Sequence, residues 1–406
     1  MNKLTRLTIN KFRNVAPTTL DFRPGINVLL GRNAAGKTTL LRLLSTLMGV
    51  PDETLKDDSL EASYRVSGRA LDFEHSIVRK RVTPTRINPD RSEQVGFSDL
   101  ELEQFDSLTF EINGEITVRA TVNPTEVLIE KDGKRDSQTR TSHPDPLVSV
   151  INALWSTVAL EAPEDVIVDI EEARIETLGR MDESLNQLGS ILKIEGQRSG
   201  MRRAWNIAHV PTSMRKILFG EIPEGTIATF SPSFLERVAQ IIGYDSASAR
   251  FDIERLNPAP GRYATKLSNL RFFFKRFGEE VSHDLLSYGQ KRLLAFFAHA
   301  DASPDVIIAD ELVNGLHHEW ISACLSEIGE RQAFLTSQNP LLLDFLRFES
   351  IEEVRHTFII CERAGSTADA QLIWRNLTEE EAESFFLAYQ TGIQRVSDIL
   401  LTKGLW

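Results

Sequence analysis

Residues 31–38 read Gly31-Arg32-Asn33-Ala34-Ala35-Gly36-Lys37-Thr38, a complete G-x-x-x-x-G-K-[ST] stretch. Before it stands the apolar run Ile26-Asn27-Val28-Leu29-Leu30, which reads as a buried strand. After it, Thr38 to Met48 carries apolar residues at helical spacing. Strand, glycine turn and helix in that order form the context a phosphate loop requires. The glycines allow backbone angles that converge several N–H groups on one anion. The helix N-terminus adds the positive end of its dipole. Lys37 brings a point charge for phosphate, and the Thr38 hydroxyl is placed to coordinate Mg²⁺. Taken alone, the stretch also fits a plain glycine-rich turn before an ordinary helix.

Three later stretches decide between these readings. Asp305-Val306-Ile307-Ile308-Ala309-Asp310-Glu311 is a buried strand that ends in two carboxylates. At the C-terminal end of a parallel strand, such an acid pair faces a nucleotide crevice. Asp310 is suited to hold Mg²⁺ through water, and Glu311 to orient or deprotonate an attacking water. Leu286-Ser287-Tyr288-Gly289-Gln290 precedes the helical pattern of 291–298, so Ser287 and Gly289 fall at a helix N-terminus. That makes a second anion site, compatible with Ser287 also capping the helix. The third stretch is Thr336-Ser337-Gln338-Asn339-Pro340.

Leu286 to Gln290 resembles the signature motif of ABC-type ATPases. More narrowly, the chain is similar to the RecF/SMC/OLD group of ABC-like ATPase heads. The opening strand with Phe12-Arg13-Asn14, then Phe22, Gly25 and Asn27, the run from Asn33 to Leu41, and Asn314-Gly315-Leu316-His317 carry the likeness. It covers about 1–50 and 265–345. The resemblance implies an α/β fold: a P-loop NTPase head with a mixed central sheet flanked by helices and an antiparallel β subdomain. It further implies ATP and Mg²⁺ as cofactors, and a dimer in which two copies sandwich two ATP molecules. Nucleotide contacts would come from Arg13, Asn33, Ala34, Ala35, Gly36, Lys37, Thr38 and Thr39 of one copy, with Ser287, Gly289 and Gln290 of the other. Thr38 and Asp310 would hold the metal. Glu311, Lys37 and Gln338 would be catalytic, and Asn314 would lie where the copies meet.

Two departures stand out. Gln338 occupies the position where such ATPases carry a switch histidine. An amide can hydrogen-bond phosphate or water but cannot become a cation, so slow, assembly-dependent turnover is expected. The glutamine that senses Mg²⁺ is not identifiable; Gln94 and Gln104 are the candidates.

The chain has 406 residues, is 26% charged and 41% hydrophobic, and carries a net charge of −12. That charge argues against a general nucleic-acid coat or an anionic membrane surface. The two cysteines, Cys324 and Cys361, give no disulfide framework. No apolar run approaches the length of a membrane span, and no signal peptide is seen, so a cytoplasmic protein is expected.

Short alternating strands are expected from about 60 to 135, with Asp132-Gly133 as a hairpin turn. A long helix is expected over 163–193, where Leu178, Met181, Leu185, Leu188 and Leu192 form a stripe. It reads as a core face or as a coiled-coil fragment. The expected organisation is 1–149 as the N-terminal part of the head, 150–262 as a helical insertion, and 263–406 as the C-terminal part. Arg79-Lys80-Arg81 with Arg86, and Arg198, Arg202, Arg203, Arg215 and Lys216, form basic clusters. They suit either a solvated face or phosphate backbones. Long coiled-coil arms and a Toprim nuclease are expected to be absent, since about 65 residues remain after Pro340.

The resemblance implies a dimerisation switch driven by ATP in DNA repair or in sensing foreign DNA during anti-phage defence. It would act with a separate effector protein and without a membrane. The alternative is a slow scaffold, held by nucleotide, that recruits a protein partner without touching DNA.

Overall fold

The computed structural model describes residues 1–69, 71–82, 101–112, 114–141, 145–157, 164–181, 192–197, 202–205, 212–214, 222, 224–259, 262–365 and 370–405. Two compact units emerge: Met1–Glu176 with Phe348–Trp406, and Thr177–Arg347.

The first unit opens with β1 (Lys3–Phe12), β2 (Thr18–Asp21), β3 (Ile26–Leu30) and α1 (Lys37–Leu47). Then come β4 (Leu60–Ser67), β5 (Asp72–Val82), β6 (Glu101–Ile112), β7 (Glu115–Val122), β8 (Glu126–Lys131) and β9 (Lys134–Thr139), followed by α2 (Pro146–Ser156) and α3 (Glu164–Glu172). An eight-stranded antiparallel sheet runs in the order β2-β1-β4-β5-β6-β7-β8-β9. The alternation read in the sequence is borne out: in β4, Leu60, Ala62, Tyr64 and Val66 are buried while the residues between them are not. Asp132 and Gly133 both take positive φ, 51° and 74°, as a two-residue hairpin turn demands.

The second unit holds β10 (Leu192–Gln197), β11 (Arg202–Trp205), β12 (Ile227–Phe230), α4 (Ser233–Ile242), β13 (Ser246–Ala259), β14 (Arg262–Arg276) and β15 (Glu279–Ser282). These are followed by α5 (Tyr288–Ala302), β16 (Val306–Ala309), α6 (His318–Ile328), β17 (Gln332–Thr336) and the short α7 (Leu341–Asp344). Strands β11-β10-β14-β13-β12 form an antiparallel sheet, with β15 on β14, and β16 pairs with β17 in parallel. The chain then completes the first unit with α8 (Ile351–Thr357), β18 (Phe358–Ala364), β19 (Gln371–Asn376), α9 (Glu379–Gln390) and α10 (Val396–Thr402). There β18 lies parallel to β3 and antiparallel to β19. Helix α9 is capped by Thr378, which closes a capping box with Glu381.

Two expectations are corrected. The long helix over 163–193 ends at Glu172. The Asn2 side-chain amide donates to the carbonyls of Glu172 and Arg174, at 2.7 and 2.8 Å, and so satisfies helix-end groups there. Beyond it, Leu178 N–H donates to Ser303 Oγ, and Arg180 bridges Ile308 in parallel. The stretch from Ala173 to Arg180 is not helical, so the buried Leu178 lies in irregular backbone, while the buried Met181 is again helical. Leu185 and Leu188 lie outside the described residues, and Leu192 opens a strand. Secondly, the segment 150–262 is not mainly helical among the described residues: five strands run through or begin in it. Ala247, Ala249, Phe251 and Ile253 are buried at a period of two, which is a strand pattern.

Candidate nucleotide site

Strand β3 delivers the chain to the glycine loop with Asn27 to Leu30 buried. A Cβ on Gly31 would sit 2.1 Å from the carbonyl oxygen of Cys361 in β18, and its φ is 142°; only glycine fits. Ala34 and Gly36 take left-handed φ values of 63° and 86°. The Trp374 indole N–H on β19 donates to Ala35 O at 3.3 Å, and a Cβ on Gly36 would lie 2.8 Å from Leu372. The loop is therefore seated on β18 and β19. Lys37 is 9% exposed, and its ammonium donates to Gly31 O (2.6 Å) and Arg32 O (3.2 Å), folding the charge into the loop.

Helix α1 begins without a side-chain cap and with no acid in its first turn. Its amide ends thus meet no competing carboxylate of their own helix, which suits an incoming phosphate. Asn33 and Ala34 are exposed, and Thr38 and Thr39 half-buried in that turn. The donor set fits a nucleoside triphosphate. Among the described residues no cluster of three or more His, Cys, Asp or Glu could hold a metal ion. A metal here would complete its shell with phosphate oxygens and water, as Mg²⁺ prefers.

In the second unit, the fully buried β16 ends at Asp310 and Glu311. Glu311 adopts φ 51°, an uncommon conformation for a non-glycine residue. Thr336, at the end of β17, holds the turn on both sides: its hydroxyl donates to Asp310 Oδ1 and accepts from Glu311 N–H at 2.8 Å. Gln338 grips the Glu311 carboxylate, donating from its backbone N–H to Oε2 (3.1 Å) and from its side-chain amide to Oε1 (3.0 Å).

The signature segment sits beside this turn. Ser287 caps α5 in a capping box with Gln290, whose side chain accepts from Ser287 N–H at 2.9 Å. Gly289 is buried; a Cβ there would lie 2.4 Å from Gly315 O. Conversely, a Cβ on Gly315 would meet the Tyr288 ring at 2.8 Å. Asn314 N–H donates to Glu311 O, and Asn314 itself is exposed. Arg292, one turn into α5, donates to Leu312 O (3.0 Å), Asp310 O (2.7 Å) and Glu311 O.

Sequence reasoning missed Arg292, the role of Thr336, and Trp374. The first two follow the signature and the acidic strand closely enough to be sought; Trp374 is more than 330 residues from the loop it braces. Arg13 is placed in the first unit with φ 45°, donating to Asp58 and Thr54 O, both at 2.7 Å, and lying over Phe12. Gln104 accepts from Arg79 and donates to Asp106; Gln94 lies outside the described residues. In the first basic cluster, Arg79 and Arg81 donate to the carbonyls of Leu55 and Asp57, and Lys80 lies over Phe105. Arg86, Arg198, Arg215 and Lys216 lie outside the described residues, and Arg202 and Arg203 are described only as strand backbone.

A phosphate loop in one unit, and in the other an acidic strand end tied to a Ser-Tyr-Gly-Gln helix, are the features that mark an ABC-type ATPase head. Comparison with known proteins agrees. The chain belongs to the family described as "AAA domain, putative AbiEii toxin, Type IV TA system", whose model matches residues 26–344. It is 27% identical over 237 residues to the DNA replication and repair protein RecF of Staphylococcus epidermidis, covering 55% of this chain and 50% of that one. It is 35% identical over 81 residues to the Smc-like protein Sph2 of Halobacterium salinarum, covering 20% and 12%. These relatives place it in the RecF/SMC group of such heads. The chain spans half or less of their length. Among solved structures, it is similar to an Smc head bound to the C-winged helix domain of ScpA (12% identity, 93% and 99% coverage, TM-score 0.41). It is also similar to RecF-ATPrS of the RecFOR pathway (13% identity, 93% and 98% coverage, TM-score 0.30). Among the described residues no helix is long and apolar enough to cross a membrane.

Proposed function

We propose that the chain is a switch that binds and hydrolyses ATP between two copies of itself, acting in DNA repair or in sensing foreign DNA, with a separate effector. The observation that carries this reading is the held carboxylate of Glu311, aligned by Gln338 at the end of an acidic strand. RecF relatives named for DNA replication and repair support the DNA setting.

Lys37 and the first amides of α1 would bind the phosphates, displacing the ammonium from Gly31 O and Arg32 O. Thr38 and Asp310 would hold Mg²⁺, which supplies charge neutralisation on the phosphate oxygens. Ser287, Gly289 and Gln290 of a second copy would grip the same ATP. Glu311 would accept the proton of the attacking water, and Gln338 would keep that carboxylate oriented. As an amide, Gln338 takes no proton itself, so turnover is slow until assembly. Functionally, 1–149 and 263–406 form the head and 150–262 its insertion.

The same contact favours a second reading. Gln338 engages both oxygens of Glu311, and a base so occupied suits a scaffold that holds ATP and turns over little. Steady-state phosphate release with and without double-stranded DNA, with Glu311→Gln as control, separates the two. DNA-stimulated release lost in the variant supports the switch. ATP binding with negligible release under all conditions supports the scaffold, and no ATP binding refutes both.

A further inference from the structure

Strand β5 places Phe73, His75, Ile77 and Arg79 on one face of the first unit's sheet, at a period of two. Leu60 and Tyr64 of β4, with Gln104 and Leu108 of β6, pair across to that face. The end of α1, Thr46 to Gly49, closes the other side and leaves a cavity of about 280 Å³. Phe73 and Ile77 suit these apolar walls. Arg79 stands where the same alternation calls for another apolar side chain.

The other polar groups of the cavity answer one another. His75 lies 2.8 Å from the Tyr64 hydroxyl and 3.0 Å from Asp106. Asp106 is fully buried, does not line the cavity, and also accepts from Gln104 at 2.9 Å. Asp145 accepts from Leu147 N–H at 2.9 Å and pairs with Arg174 at 3.3 Å. Arg79 is half-buried, and its bonds go to neutral acceptors: Nε donates to Gln104 Oε1 at 3.1 Å, and Nη1 to Leu55 O at 3.2 Å. Among the described residues its Nη2 has no hydrogen-bond partner and its guanidinium no ion pair. Burial pushes the Arg79 pKa down against the pull of Asp106 and Asp58, so those carboxylates do not offset its lost solvation. On the cavity surface itself, Arg79 and Arg174 stand against Asp145 alone.

A second cavity of about 270 Å³ adjoins the first, sharing Thr46, Pro51, Arg79 and Gln104. Its own charges are matched: Lys56 pairs with Glu53 at 2.9 Å, and Arg42 with Asp52 at 3.6 Å. Arg79 thus stands at the junction of the two as an uncompensated cation.

We propose that the inner cavity binds a small apolar carboxylic acid as its anion, with the carboxylate on Arg79 Nη2 and the hydrocarbon body among Leu60, Phe73, Ile77 and Leu108. The carboxylate supplies the charge-assisted bond that Gln104 and Leu55 O cannot, and burial of the body supplies apolar area. A dry apolar cavity of about 150 Å³ takes up benzene, so this one suits a body about twice that size. An inorganic anion has no such body, and a neutral alcohol has no charge for Arg79. The site does not depend on the ATP reading.

The test is calorimetric titration of the full chain with octanoate and phenylpropanoate. Octanol and octylammonium are the controls, since they keep the hydrocarbon body and change the charge. One site per chain is expected for at least one acid, with octanol weaker by about tenfold or more and octylammonium weaker still. Arg79→Met keeps an apolar stem and removes the charge, so the acid is expected to fall to the level of octanol. Arg174→Ala, whose charge Asp145 already answers, is expected to bind the acid within about threefold of wild type. Leu108→Trp is expected to fill the cavity and abolish binding of acid and alcohol alike. Thermal melting checks that each variant folds; where one does not, the wild-type preference for acid over alcohol decides. No binding of either acid at millimolar concentration overturns the site. So does an acid bound no better than octanol, or acid binding that a folded Arg79→Met retains in full.

Discussion

Gln338 donates two hydrogen bonds to Glu311, one to each carboxylate oxygen, from the position where the resemblance to ABC-like heads implies a switch histidine. Glu311 is thereby held at the end of β16 by a group that cannot itself carry a proton. Glu311→Gln is expected to lower ATP turnover by about 100-fold or more while ATP still binds. Phosphate release alongside equilibrium binding checks this; turnover within a few-fold of wild type would remove Glu311 from the chemistry.

Gln338→Ala tests the contact itself. Loss of an orienting hydrogen bond is worth about 1 kcal/mol, so turnover is expected to fall several-fold. A rise in turnover would instead show that the amide restrains the base, which is the scaffold reading.

Gly31→Ala and Lys37→Ala separate fold from binding. The first puts a methyl group on the Cys361 carbonyl, and a destabilisation of about 3 kcal/mol or more is expected in urea melts. The second is expected to melt like wild type but bind ATP about 10- to 100-fold more weakly, having lost a charge-assisted contact. Tight ATP binding by Lys37→Ala would sink the phosphate-loop assignment.

Gly289→Ala forces the signature helix away from Gly315, with Trp320 also within 3.1 Å of the added methyl. A cost of about 1–3 kcal/mol is expected from overpacking. Ser287→Ala, which removes only an exposed cap, should cost about 1 kcal/mol. Equal stability of the two variants would mean that the glycine contact relaxes freely.

His299 on α5 is fully buried, and burial pushes its pKa down to about 3, against about 6.5 when exposed. Below pH 6.5 the unfolded chain takes up a proton that the folded chain refuses. Its contribution is therefore fully present above pH 6.5 and is lost progressively as pH falls toward 3. Urea melts of wild type and His299→Leu across that range should show wild type losing stability relative to the variant as pH falls, because the leucine variant lacks this term. Parallel curves would contradict the assignment.

The three chemical stretches were legible because each is local: a strand, a turn and a helix start lie within about a dozen residues of one another. What braces them was not. The need for glycine at 31 comes from Cys361, and the seat under Ala35 from Trp374, both contributed by β18 and β19 from the far end of the chain. The stripe from Leu178 misled because the helix breaks from Ala173 to Arg180, where Leu178 bonds Ser303 and Arg180 bridges Ile308. The alternation in Ser246–Ala259 is faint in the sequence, because alanine is a weak strand former and the Phe residues of β14 that pair with Ala247 and Ala249 supply the burial.

Arg292 gives the proposed pair of copies a further property. Under the proposed function, Ser287 of one copy would serve the ATP seated on its neighbour, while Glu311 would serve the ATP on its own loop. The Arg292 guanidinium, on the helix that Ser287 caps, holds the backbone carbonyls of Asp310, Glu311 and Leu312. In that proposed pair the two ATP molecules would be joined through one side chain, and occupancy of the first would bias the chemistry of the second. Cooperative hydrolysis, with a Hill coefficient above one that Arg292→Lys lowers, is the outcome expected of a helix fastened in this way, and turnover measured against ATP concentration checks it.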